Sequence, residues 1–179
     1  SDRLDASLAA YDAAGGPNGP ARINALSTLG QLLAPQDELD RSLRLQEEAN
    51  ALADRLLVQT DPLRQNVKEL FGEALASVGR MDDAQRVLRE NLDLLRARFG
   101  ESDLSVVSAM ETLAVREIES GKPESARQLL REAQGIAGKV LDGPHVSAAY
   151  VENSLGLAEL LLGHSLAAKQ AYARALAIF

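Results

Sequence analysis

The sequence predicts an all-α solenoid built from antiparallel helix hairpins. Three observations carry that prediction: a recurrence at 42 residues, apolar spacing of three and four between the recurring turns, and a core poor in aromatics. Gly79, Gly121 and Gly163 stand 42 residues apart. Each opens a similar phrase, Gly79-Arg80-Met81-Asp82-Asp83-Ala84, Gly121-Lys122-Pro123-Glu124-Ser125-Ala126 and Gly163-His164-Ser165-Leu166-Ala167-Ala168. One step back lies Asp37, inside the turn-forming run Pro35-Gln36-Asp37-Glu38. Aromatics are 3% of the 179 residues and Trp is absent, so Leu, Ala, Val and Ile must build the core. That composition counts against a β-sandwich and against base-stacking platforms. Closely stacked hairpins need it.

The elements follow in register. Residues 1–14 place Leu4, Ser7 and Leu8 in the second-helix columns of a preceding unit and read as its lone B helix. The run Gly15-Gly16-Pro17-Asn18-Gly19-Pro20 is a linker. Units over 21–58, 63–99, 105–141 and 147–179 follow, each a helix A, a tight turn, a helix B and a loop; the last is truncated in helix B. Within helix A, Leu29, Phe71, Leu113 and Leu155 share a column, each followed by a small residue, Gly30, Gly72, Ala114 and Gly156. Within helix B, Ser42, Ala84, Ala126 and Ala168 share another, as do Gln46, Leu88, Leu130 and Tyr172, and then Ala49, Asn91, Ala133 and Ala175. Small residues let two helix backbones approach, and the larger ones fill what is left. A second loop recurs at the same step as Gly19-Pro20, Asp61-Pro62, Asp103-Leu104 and His145-Val146. Apolar residues 67, 70, 71, 74, 75 and 78, then 84, 87, 88, 92 and 95, keep helical spacing up to each stop. A single hairpin cannot bury its apolar face, so the units must stack.

This pattern resembles the tetratricopeptide repeat (TPR). The period of 42 and the phrases Phe99-Gly100-Glu101-Ser102-Asp103 and Leu141-Asp142-Gly143-Pro144-His145 are similar to the kinesin-light-chain type, where a Leu-Gly-x-x-His-Pro phrase joins the units. The chain departs from it at Asp103-Leu104, Val146, Ser42 and Gln46. The resemblance implies a right-handed TPR superhelix with a concave groove lined by the A helices. Because no polar helix closes either end, the chain is expected to be a fragment of a longer protein whose ends can self-associate. The excess of Arg over Lys, fifteen to four, goes with a GC-rich, bacterial genome.

Enzyme chemistry finds little material. Cys is absent, which removes disulfides, zinc–thiolate sites and thiol nucleophiles. The linker lacks the Lys-Ser/Thr of a phosphate loop, and no Gly-x-Ser-x-Gly elbow occurs. His145 and His164 fall in turn columns without metal-ligand spacing and read as solvated loop residues. Asp82 and Asp83 open a helix, where carboxylates favour the dipole. Arg86, Arg89, Arg127 and Arg131 alternate with Glu90 and Glu132 and read as a solvated convex face. Net charge −7 is the wrong sign for phosphate-backbone binding. The chain opens Ser1-Asp2-Arg3-Leu4-Asp5, without a signal-peptide core, and its longest apolar run, 155–162, is broken by Glu159. No catalytic residue, metal site or cofactor is expected, no nucleic-acid or membrane partner, and a cytoplasmic location.

What the resemblance leaves is the groove. It implies that residues thirteen, ten and six before each turn face it: Asn24, Ser27 and Gln31; Asn66, Glu69 and Glu73; Ser108, Glu111 and Val115; Tyr150, Asn153 and Leu157. The Lys and Arg that clamp carboxylates in chaperone-binding TPRs are missing from these columns. Asn24 and Asn66 suit a peptide backbone through paired donor and acceptor. Glu69, Glu73 and Glu111 call for a neutral or basic segment, with an apolar anchor near Tyr150, Val151 and Leu157. The function expected is non-catalytic protein–protein interaction. A regulatory or sensor region of a larger bacterial kinase or transcriptional regulator, or a self-assembly element, are the alternatives.

Overall fold

The computed structural model describes residues 19–36 and 38–179. The lone B helix expected over 1–14 lies outside them. The described residues form helices and no strand. In order these are α1 (Pro20–Leu33), a 3₁₀ turn (Ala34–Gln36), α2 (Leu39–Leu56), α3 (Pro62–Ser77), α4 (Met81–Phe99), α5 (Leu104–Glu119), α6 (Pro123–Val140), α7 (Val146–Leu161) and α8 (Ser165–Leu176). Two compact units divide between Val87 and Leu88, within α4.

The two recurring loops have different physical jobs. The glycines at 79, 121 and 163 take φ of 81°, 74° and 79°, a left-handed turn that favours residues without Cβ. This geometry lets the next backbone N–H reach back to close helix A. Arg80, Lys122 and His164 donate to the carbonyls of Leu75, Glu117 and Glu159 at 2.8–2.9 Å. The other loop column supplies the caps that start each helix A. Asp61 accepts from the N–H of Leu63, Asp103 from Ser105, and His145 Nδ1 from Ser147, at 2.8, 2.8 and 3.1 Å. The three cap residues stand 42 apart, so the period repeats the chemistry as well as the length. His145 is therefore a half-buried capping acceptor and not a solvated loop residue.

In the first unit α1 packs on α2, α2 on α3, and α1 also touches α3. Ile23, Leu26, Ala49, Leu52, Ala53 and Val67 form its main core. A second cluster joins Leu75 and Ala76 to Ala84 and Val87. In the second unit α5 packs on α6, α6 on α7, α7 on α8, and α5 touches α7. Its core centres on Val106, Met110, Leu113, Leu130, Val151 and Leu155. The small-residue columns lie at the crossings: Ala49, Ala84, Ala126, Ala133, Ala168 and Ala175 are all buried. Ser42 and Gln46, polar where later units are apolar, stay buried by bonding across the hairpin. Ser42 Oγ donates to the carbonyl of Gly30 at 2.7 Å, and Gln46 Nε2 to that of Ser27 at 2.9 Å.

Candidate functional site

The residues implied to line a groove do not share one environment. Asn24, Gln31, Asn66, Glu73, Ser108, Tyr150, Asn153 and Leu157 are exposed, and Glu69, Glu111 and Val115 are half-buried. Ser27 is buried, and its hydroxyl donates to Gln46 Oε1 at 3.1 Å; it faces helix B. Val151 is also core, at 1% exposure, so the apolar anchor near Tyr150 cannot include it. α7 presents Tyr150 and Leu157 outward, with Asn153 between them. The Tyr150 ring meets Phe179 edge-on, with centroids 5.6 Å apart. Between neighbouring A helices Ser154 Oγ donates to Glu111 Oε1 at 2.6 Å. This bond ties α7 to α5 beneath the exposed column.

A second arrangement lies outside the groove columns. Three carboxylates of the second unit are buried: Glu117 and Glu159 are 1% and 2% exposed, and Glu152 is nearly as deep. Arg89 Nη2 donates to Glu117 Oε1 at 2.5 Å, and Arg131 Nη2 to Glu159 Oε1 at 2.8 Å. Donor and acceptor lie 28 residues apart in both pairs, and the pairs repeat at 42. Each clasps helix B of one hairpin to helix A of the next. Glu159 also holds His164 Nδ1 at 2.7 Å and Arg127 at 3.7 Å. Burial pushes its carboxyl up, but bonds from His164 and Arg131, with the charges of Arg131 and Arg127, outweigh that and hold it below the ordinary value. Glu152 accepts from Gln134 Nε2 at 2.6 Å and pairs with Arg174 at 2.8 Å. The bond to Glu152 raises Arg174 above its ordinary value.

Arg89, Arg127 and Arg131 are thus not simply a solvated face; their guanidinium groups reach down to buried carboxylates. His164 is likewise bonded, and not a free loop side chain. The signal was present in the sequence, because Glu117 and Glu159 occupy the column of Leu33 and Leu75, and Arg89 and Arg131 stand 42 apart. A cleft of about 230 Å³ between α6, α7 and α8 is lined by Arg131, Gln134, Glu159, Gln170 and Arg174. Both of its arginines are already paired with buried glutamates, so it offers no net positive charge to an anion. At α4's start Asp83 sits below its ordinary value through hydrogen bonds from Arg80 and Arg86. Among the described residues no three His, Asp or Glu converge as metal ligands. None of their helices is long and apolar enough to cross a membrane.

Within each unit the fold defines a class: helix hairpins in tandem, with A helices side by side and B helices covering them. Residues 64–139 match the tetratricopeptide repeat family. The matched stretch covers the hairpins α3–α4 and α5–α6. Solved structures show the same fold at low identity. A putative kinesin light chain with nearly identical TPR-like repeats from Podosopora anserina is 19% identical, with a TM-score of 0.87, over 98% of this chain and 82% of that one. BtubC from P. vanneervenii is 17% identical, TM-score 0.78, over 87% of this chain and 62% of its own. A Rap protein complexed with competence and sporulation factor is 14% identical, TM-score 0.75, over 98% of this chain and 49% of that one. No curated protein matches the chain in sequence.

Proposed function

We propose that the chain is a non-catalytic interaction module, working in the cytoplasm, that docks a peptide or protein segment on the exposed columns of its A helices. One observation carries this reading. In each unit the buried faces of the helices are committed to hairpin packing, while positions thirteen before the turns (Asn24, Asn66, Ser108 and Tyr150) all stay open. A side chain repeated at an open position of stacked helices gives an extended partner a regular series of contacts. Asn24 and Asn66 offer a donor and an acceptor each, suited to a peptide backbone. The carboxylates of Glu69, Glu73 and Glu111 favour a segment that is neutral or basic, and Tyr150 with Leu157 gives it an apolar footing. That the similarly folded Rap protein is complexed with competence and sporulation factor supports binding as the use of such a fold.

Affinity capture from the source cell, with the wild-type chain and a Glu69→Lys/Glu73→Lys variant as baits, tests the reading. A protein retained by the wild type and lost by the variant is the expected result. A partner held equally by both overturns the charged-column idea. The same likeness favours a second reading, a sensor region within a larger regulatory protein. A signalling or DNA-binding domain in the same reading frame would support it.

A further inference from the structure

α7 is inside out with respect to charge. Its two charged residues, Glu152 and Glu159, are buried and paired, whereas its outward side chains carry no charge at all. Val146, Tyr150, Leu157 and Leu161 are 50%, 54%, 39% and 55% exposed. With Asn153 between them they lie 4, 3, 4 and 4 residues apart, one stripe along a helix.

A following hairpin stacked in the register of the repeat would leave this stripe partly open. α5 occupies the same place one unit earlier and already has α7 packed against it. Its equivalent positions remain partly open: Ser108 and Glu119 are exposed, and Leu104, Val115 and Glu111, which accepts from Ser154 of α7, are half-buried. By contrast Ile118 is buried there, so its counterpart Leu160 belongs to the stacking face and is left out of the stripe. Stacking therefore leaves the column of Val146, Tyr150, Asn153, Leu157 and Leu161 only partly covered. In α5 that column reads Leu104, Ser108, Glu111, Val115 and Glu119; in α7 it holds four apolar residues and Asn153.

We propose that the occupant of this face is a second copy of the same chain, paired α7 to α7 in antiparallel fashion about a two-fold axis between Asn153 and Ser154. Residues that meet across such an axis have numbers that sum to a constant. Tyr150 then faces Leu157 of the other copy, and Val146 faces Leu161, so all four apolar residues are covered by apolar partners. Asn153 meets its own copy near the axis, where paired amides fix register. Each chain carries −7, yet the face is uncharged, so the contact brings no like charges together. Phe179, edge-on to Tyr150, holds that ring at one end of the stripe. This assignment rests on the A-helix column being a docking face and names the occupant of its apolar end. Capture with the Glu69→Lys/Glu73→Lys variant and measurement of the dimer mass fail separately.

One helix crossing is smaller than a standard interface, so a weak dimer follows, with a dissociation constant between roughly 10 µM and 1 mM. Sedimentation equilibrium of the wild-type chain across that range, at about 0.15 M salt, should show its mass climb from monomer toward dimer. Tyr150→Lys or Leu157→Glu alone should weaken association by about tenfold or more. An equimolar mixture of the two should restore it, because the introduced lysine of one chain then faces the introduced glutamate of the other. Leu176→Glu, at the exposed end of α8, should associate like the wild type. Circular dichroism checks that each variant folds, with Tyr150→Ser, which copies Ser108 of the same column, as the substitute if Tyr150→Lys does not. A monomer mass up to about 1 mM overturns the proposal. So does association lost in Leu176→Glu but kept in Tyr150→Lys, or a mixture that stays monomeric.

Discussion

Gly156 on α7 lies under the ring of Tyr172 on α8 so closely that a Cβ at 156 would sit 2.8 Å from Tyr172 Cδ1 and Cε1. The same two columns meet in the first unit, where a Cβ at Gly30 would be 2.7 Å from Gln46 Nε2. In the third unit they hold Ala114 and Leu130, both buried. Glycine faces the Tyr172 ring and the Gln46 amide, and alanine faces Leu130, while the second repeat holds Gly72 and Leu88 in the same two columns. At Gly30 and Gly156 the side chain opposite leaves no room for a Cβ.

Gly156→Ala should therefore destabilise the chain despite the better helix propensity of alanine. Overpacking costs about 1–3 kcal/mol, against a propensity gain of about 1 kcal/mol. Tyr172→Leu in the same chain should recover the loss, since it recreates the Ala114–Leu130 pair. Gly138→Ala, where a new Cβ meets nothing within 4 Å, should raise stability by about 0.5–1 kcal/mol. Thermal unfolding of the four proteins checks the ordering. A stable Gly156→Ala would disprove the volume coupling.

Asn91 occupies a column that is Ala49, Ala133 and Ala175 in the other units. It is buried, and its Oδ1 has no hydrogen-bond partner. An unsatisfied buried acceptor costs about 1–3 kcal/mol, more than the side-chain volume lost on truncation. Asn91→Ala should raise stability by about 1 kcal/mol in urea unfolding, with an unchanged slope. An equal fall in stability would show that the amide is satisfied in solution.

The carboxylates clasped by arginine should behave differently from one another. Glu117 has an Oε2 without a hydrogen-bond partner, and Arg89 opposite it is half exposed and able to turn to water. Its column holds buried Leu33 and Leu75. Glu117→Leu should be neutral or stabilising by up to about 1–2 kcal/mol, whereas Glu117→Ala, which leaves a cavity, should cost about 2 kcal/mol. Chemical denaturation of both separates the packing contribution from the charge.

Glu159 should impose a pH dependence. Its carboxyl is held below the ordinary 4.5 in the folded chain, so its contribution is complete above about pH 4.5 and fades as pH falls through the folded value. Glu159→Gln should cost about 1–3 kcal/mol at pH 7. The gap to wild type should narrow on acidification from about pH 6 to about pH 3. Parallel stability curves over that range would remove Glu159 from the acid response.

The sequence by itself determined the repeat, the hairpin fold, the turn glycines, the second recurring loop and the small residues at the crossings. These are legible because each depends on local backbone geometry, which a fixed spacing repeats with every unit. Only the tertiary structure decided what the charged side chains do. Arg89 and Arg131 read as a solvent face from helix B alone, because their partners Glu117 and Glu159 lie 28 residues on, in the next hairpin. Ser27 read as an open position from its column, yet Gln46 across the hairpin holds it inside. α7 likewise shows ordinary composition, and only the packing turns its glutamates inward and leaves Val146 and Leu161 outward beside Tyr150 and Leu157. Spacing along a chain tells which residues share a helix face; which face is buried depends on what the neighbouring helix brings to it.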